Sequence, residues 1–189
     1  ESARAREYGD ALQWLTDTSL VCPSSCVSVP ESPLASYEDE GVFKVYVLDV
    51  GLLGAMCNLS ARTILDSEAL FSSFKGALAE QLVAQELLAS GQAGNKVDTG
   101  NKLHYFMNQS TRTEIDFIVD GNERVPQPVP IEVKAGTNLR AKSLAAFVKK
   151  HLPVLALRTS LAPFSRDGVI KNVPLYAFGA YFHKEIAGQ

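Results

Sequence analysis

Two short segments bring together side chains that can do chemistry: Thr113-Glu-Ile-Asp-Phe-Ile-Val-Asp120 and Pro130-Ile-Glu-Val-Lys-Ala135. Both alternate apolar and polar residues with a period of two, the pattern of a strand with one buried face. In the first, Ile115, Phe117 and Val119 are expected on one face and Glu114, Asp116 and Asp120 on the other. In the second, Val129, Ile131, Val133 and Ala135 share a face opposite Glu132 and Lys134. If the strands pair, Asp116 comes to lie beside Glu132 and Lys134. Two carboxylates with a lysine make a minimal site for a divalent metal and a phosphodiester. Asp120 is set apart by roughly 13 Å of strand rise from Asp116 and reads as a turn residue.

Several elements must hold these residues. Residues 4–17 space Tyr8, Leu12 and Leu15 as an amphipathic helix, with Trp14 read as core. Residues 20–22 and 26–29 read as short strands around a Pro-Ser-Ser turn, and residues 30–41 as an acidic loop and the internal boundary. A strand follows from Phe43 to Asp49, where Asp49 marks a strand-end turn before Gly51. Asp66 or Ser67 is the expected cap of a helix over 68–89 that Gly91 closes. Strands then come at 103–107, at Asp116 and at Glu132, with a turn at Gly121-Asn122. Asn138 is expected to cap a helix over 139–151 that stops before Pro153, and 154–157 reads as a strand. Residues 173–182 close the chain as an apolar segment whose end, 177–182, is a candidate exposed patch. From 68 to 158 the order is α-β-β-β-α-β. Glu80 sits on the long helix with Gly76, Ala77, Val83 and Ala84 around it, a small and apolar surface on which a carboxylate needs a partner.

Composition bounds the reading further. The chain has 189 residues, 46% of them hydrophobic, which is ample for a core. No run of about 18 apolar residues is present and no signal-peptide pattern opens the chain, so no membrane association and a cytoplasmic location are expected. The first residue is Glu1, which points to a fragment of a longer polypeptide. Cys22, Cys26 and Cys57 read as free thiols, because an odd number with CxxxC spacing lacks a second zinc-ligand pair. A net charge of −3 argues against a generic nucleic-acid binder, yet residues 131–171 hold eight basic residues against two acids. Arg140, Lys142, Lys149 and Lys150 in that window are the candidate contacts to a phosphate backbone. The bland alternatives are a solvated helix face and a cross-strand salt bridge, the latter contributing under roughly 1 kcal/mol when exposed.

Glu on the first helix, Asp on the second strand and Glu-x-Lys on the third resemble the PD-(D/E)xK nuclease superfamily. The chain resembles, more narrowly, the domain that follows AAA-type P-loop ATPase modules in many bacterial and archaeal proteins. The matching residues are Lys44-Val-Tyr-Val-Leu-Asp-Val-Gly-Leu-Leu53, Gly76-x-x-x-Glu80-x-x-Val83-x-x-Glu86-Leu87, Glu114-Ile-Asp116-Phe117 and Pro130-Ile-Glu-Val-Lys-Ala-Gly136. The resemblance implies an α/β fold: a restriction-endonuclease-like α-β-β-β-α-β core with a mixed central sheet over 42–189, preceded over 1–41 by the tail of a winged-helix segment. It implies that Asp116, Glu132, the Val133 carbonyl and Glu80 hold Mg²⁺ or Mn²⁺, and that Lys134 completes the catalytic set. DNA is the implied substrate and an ATPase module of the same polypeptide the implied partner. This chain has no Gly-x4-Gly-Lys-Ser/Thr of its own. Where family members often carry Trp-Arg and a glycine ahead of the acidic strand, this sequence has Phe106-Met107-Asn108 and Arg112. Three function classes follow: a Mg²⁺-dependent deoxyribonuclease, a nuclease-like fold that binds DNA or protein without chemistry, and a regulatory module docked on the motor.

Overall fold

A computed structural model describes residues 8–59, 74–91 and 102–187. In chain order the elements are α1 (Gly9–Asp17), β1 (Val21–Val27), β2 (Glu38–Val47), α2 (Val50–Met56), α3 (Lys75–Ala89), β3 (Leu103–Asn108), β4 (Thr113–Ile115) and β5 (Phe117–Val119). They continue with β6 (Val129–Val133), α4 (Lys142–His151), β7 (Ala156–Ser160), β8 (Ser165–Asp167), β9 (Ile170–Pro174) and α5 (Phe178–Phe182). The fold is mixed α/β, with two mixed sheets and these five α-helices among the described residues. One sheet has the order β2-β1-β3-β4 and the other β5-β6-β7-β9-β8.

The sheets meet at Asp116. The segment 113–120 was expected to alternate as one strand, but it is two strands with Asp116 between them. Ile115 and Ile118 enter one core cluster, while Phe117 and Val119 enter the other. Phe117, Ile118 and Val119 are all buried, so this strand is covered on both faces rather than one. The single central sheet implied by the resemblance is therefore divided, with a break at the acidic residue.

Each face has its own helices. Val83 and Leu87 of α3, with Phe178 and Phe182 of α5, pack on Phe117, Val119, Val129, Ile131 and Leu157. Leu144 and Phe147 of α4 pack on Val27, Phe106, Ile115, Ile118 and Ala156, and Leu34 from the loop before β2 joins them. Because Phe178 and Phe182 are core residues, the candidate exposed patch at 177–182 is not apolar surface, although Tyr176 and Phe164 beside it are widely exposed.

Residues 20–29 do not form two strands around a turn. β1 runs unbroken through Pro23, and its irregularity is a register shift between Ser25 and Cys26. It pairs antiparallel with β2 and parallel with β3, and those two ladders override the local turn signal of Pro-Ser-Ser. The division expected between residues 41 and 42 falls inside β2. Trp14, read as core, is 62% exposed, because α1 buries no residue and contacts mainly β1. Asp49 ends β2 as expected and also caps α2, its Oδ1 accepting from Leu52 N at 2.8 Å. The caps proposed at Asp66 and Ser67 lie outside the described residues. Asn138 does not cap α4: its Oδ1 accepts from Arg140 N, and Ala141 occupies the cap position. The helix ends at His151, two residues before Pro153, with Leu152 in the left-handed region at φ 50°.

Candidate functional site

At the break between β4 and β5 the ladder loses its regular partner, and the Asp116 side chain takes its place. Its Oδ2 accepts a hydrogen bond from Val133 N on β6 at 2.7 Å. This bond joins the first sheet's last strand to the second sheet. Burial raises the pKa of Asp116; the Val133 bond and the charges of Lys44 and Lys134 act against that rise.

Glu132 lies on β6, almost fully buried. Its Oε1 is 2.6 Å from Lys134 Nζ, and its Oε2 accepts no hydrogen bond among the described residues. A buried charged oxygen without a donor is unfavourable in proportion to its lost hydration. The Glu132 pKa is raised by burial first, then by Asp116, with Lys134 opposing and Glu80 adding to the rise. Glu80 reaches the same place from α3. Its Oε2 accepts from the Tyr46 hydroxyl at 3.4 Å, and burial followed by Asp116 raises its pKa. The three carboxylates expected in the site, Glu80, Asp116 and Glu132, thus act on one another, and Lys134 acts on Asp116 and Glu132.

Two further residues belong to the arrangement, Lys44 and Tyr46 of β2. Tyr46 packs at a tilt on Phe117, ring centroids 5.3 Å apart, and donates to Glu80. Lys44 pairs with Glu114 at 2.5 Å, lies 4.8 Å from the centre of the Tyr105 ring, and lowers the pKa of both Asp116 and Glu80. Their two-residue spacing showed that they share a face. The strand order that turns this face toward Asp116 was not readable from spacing.

Other candidates lie elsewhere. Asp120, just after β5, accepts from Leu34 N at 3.1 Å and anchors the loop before β2. Arg140, Lys142, Lys149 and Lys150 are exposed, on or just before α4, on the sheet face opposite α3. Arg158, counted in the basic window, is buried. Its guanidinium donates to Leu139 O at 2.6 Å and to Asn172 Oδ1 at 3.1 Å.

The donor set suits a hard divalent cation: carboxylate oxygens, one of them without a partner, raised in pKa and repelling one another. Among the described residues, no three His, Cys, Asp or Glu side chains are drawn together at metal-binding spacing. The charges are gathered, but not closed around a point.

This crowding gives a signed expectation for pH. A carboxylate with a raised folded-state pKa binds protons more strongly folded than unfolded, so its effect on stability worsens as pH rises. The loss begins near the unfolded carboxylate value of about 4 and is complete above the raised value. Asp116→Asn keeps an acceptor for Val133 N and removes the charge. It is expected to raise the melting temperature at pH 7 by about 2–4 °C, the equivalent of roughly 1 kcal/mol, and to leave it unchanged at pH 4. Calorimetric melting at the two pH values checks this, and equal shifts at both would remove the electrostatic explanation.

Comparison with known proteins gives two family matches. Residues 1–63 match a domain of unknown function (DUF8612), and residues 75–178, more than half of the chain, match a second domain of unknown function (DUF4143). No curated protein and no solved structure matches. Glu80, Asp116, Glu132 and Lys134 lie in the second matched segment, and Lys44 and Tyr46 lie in the first. On the match that spans the helix α3, the strand break and Glu132, the chain belongs to the DUF4143 family.

Proposed function

We propose that this chain is a PD-(D/E)xK-type nuclease domain that hydrolyses phosphodiester bonds of DNA with Mg²⁺ or Mn²⁺, in the cytoplasm, beside an AAA-type ATPase module of the same polypeptide. One observation carries the reading. Three desolvated carboxylates, Glu80, Asp116 and Glu132, act electrostatically on one another where the sheets part, with Lys134 paired to Glu132 and one Glu132 oxygen left without a donor. Asp116, Glu132, Glu80 and the Val133 carbonyl would hold the cation. The cation, when bound, supplies phosphate polarisation and lowers the pKa of the attacking water.

The chain's own groups supply the rest. Val133 N fixes the direction of Asp116, and the Tyr46 hydroxyl fixes Glu80. Lys134 is half-buried beside Glu132 and carries a positive charge to the place where a phosphate's negative charge builds up. Arg140, Lys142, Lys149 and Lys150 offer exposed charge to the nucleic-acid backbone on the α4 side.

A second reading, a DNA- or protein-binding module without chemistry, draws support from the short Lys134–Glu132 ion pair and from carboxylates not drawn together at metal spacing. Titration calorimetry with MnCl₂ separates the two. Saturable binding by the wild type, lost in Asp116→Ala, is the expected result. Absence of binding by the wild type would transfer the assignment to the second reading.

A further inference from the structure

We infer that Lys44 is a phosphate-binding residue of this site, held in the free protein by Glu114 until a nucleic-acid phosphate replaces that carboxylate. The inference rests on the nuclease reading above and adds a residue to it from the other matched segment of the chain.

Three features of Lys44 point this way. It is positioned from β2, by register opposite Ser24 of β1, with Tyr105 of β3 one strand further on. Its ammonium lies over the Tyr105 ring, 4.8 Å from the centroid, so an aromatic face supports the charge without neutralising it. Its ion-pair partner, Glu114, is 40% exposed and its own side chain 28% exposed. A pair this open to water is worth little, so exchanging one oxyanion for another at the same ammonium is inexpensive.

The position is also the right one for a substrate. Lys44 acts electrostatically on Asp116 and Glu80, and Lys134 acts on Asp116 and Glu132. The carboxylates thus have one ammonium from β2 and a second just beyond β6. A nucleic-acid strand carries a negative charge at every nucleotide, so a strand whose scissile phosphate faces Asp116 and Lys134 brings a neighbouring phosphate with it. Among the described residues, Lys44 offers a cation to that neighbour. Glu114, two residues before Asp116, presents a carboxylate oxygen where a non-bridging phosphate oxygen would sit.

A structural ion pair and a held phosphate ligand predict different signs. If the Lys44–Glu114 pair is structural, Lys44→Gln and Glu114→Gln act alike. If Glu114 competes with phosphate, the two act in opposite directions. The test measures anisotropy of a fluorescein-labelled duplex DNA in a calcium buffer across a salt titration, for the wild type, both variants, Lys44→Arg and Lys134→Gln. Thermal melting confirms that each variant is folded. Lys44→Gln is expected to weaken binding by about three- to tenfold and to reduce the log–log salt slope by about 0.9, the contribution of one phosphate contact. Lys44→Arg is expected to restore both, and Glu114→Gln to tighten binding by about two- to fivefold with one competing charge removed.

Weaker binding in both glutamine variants, or no change in either, while Lys134→Gln still lowers the slope, would overturn the inference and leave the nuclease reading standing. No DNA binding by the wild type would overturn both.

Discussion

Gly121→Ala is expected to cost more than about 3 kcal/mol, above the usual penalty for overpacking, or to prevent folding altogether. A Cβ at Gly121 would run into Val125 O and stand 2.7 Å from both Gln127 O and the Pro126 carbonyl carbon. All three are backbone atoms, so no side chain can rotate away. The backbone is itself tied down. Asn122 N donates to Val125 O at 2.7 Å, and Asn122 Oδ1 accepts from Arg124 N and Val125 N, both at 2.8 Å. The Asn122 side chain also donates to Ile186 O, joining this turn to the end of the chain. Urea unfolding of Gly121→Ala checks the expectation; a loss below about 1 kcal/mol would mean that the 121–127 turn can open without cost.

The second large effect is expected at Arg158. Arg158→Met is expected to lose about 2–4 kcal/mol, because a methionine fills the space but leaves Leu139 O without this donor and the buried Asn172 Oδ1 with one donor fewer. Leu139 O loses its 2.6 Å donor, and Asn172 Oδ1 keeps only Ser160 Oγ at 2.8 Å. Asn172 is the hub of this region: its Nδ2 holds Ala162 O and Pro163 O, so the disturbance extends into the loop after β7. Arg158 also lies in the electrostatic field of Glu132. Ser160→Ala, which removes one donor to the same oxygen, is expected to cost about 1 kcal/mol by comparison. Guanidinium unfolding of the two variants orders them, and a larger loss in Ser160→Ala would remove the arginine from its central place.

The residues of the candidate site were legible because their chemistry and spacing are local. Glu132 and Lys134 are two apart at the end of one strand, and Glu80 is the acid with small neighbours on its helix. What joins them was not local. Phe117-Ile118-Val119, three apolar residues in a row, is the mark of a strand buried on both faces, and it outweighs the alternation of Glu114, Asp116 and Asp120. Lys44 and Tyr46 could be assigned to one face of a strand, but their approach to Asp116 depends on β1 entering between β2 and β3. No period or cap in the sequence encodes that crossing. Trp14 shows the converse failure: helical spacing suggested burial, yet little of the described chain packs on α1. Arg158 counts toward the basic window, but composition registers a cation without seeing the carbonyl and carboxamide that enclose it.

The parallel pairing of β1 with β3 has a consequence for synthesis on the ribosome. Ser24 pairs with Leu103 and Val27 with Phe106, partners separated by roughly 80 residues of chain. At about 5–20 residues per second, β1 waits about 4–16 s after its own synthesis before its second neighbour exists. For that time β1 and β2 can form only a two-stranded hairpin, which is marginal in water and has an open edge on β1. The composition of that edge is suited to the delay. Pro23, just before the paired stretch, has no N–H to offer another strand, and Ser24 and Ser25 are polar. The Pro-Ser-Ser that reads in sequence as a turn thus leaves one backbone donor fewer on a strand that stays unpaired on one side for that interval.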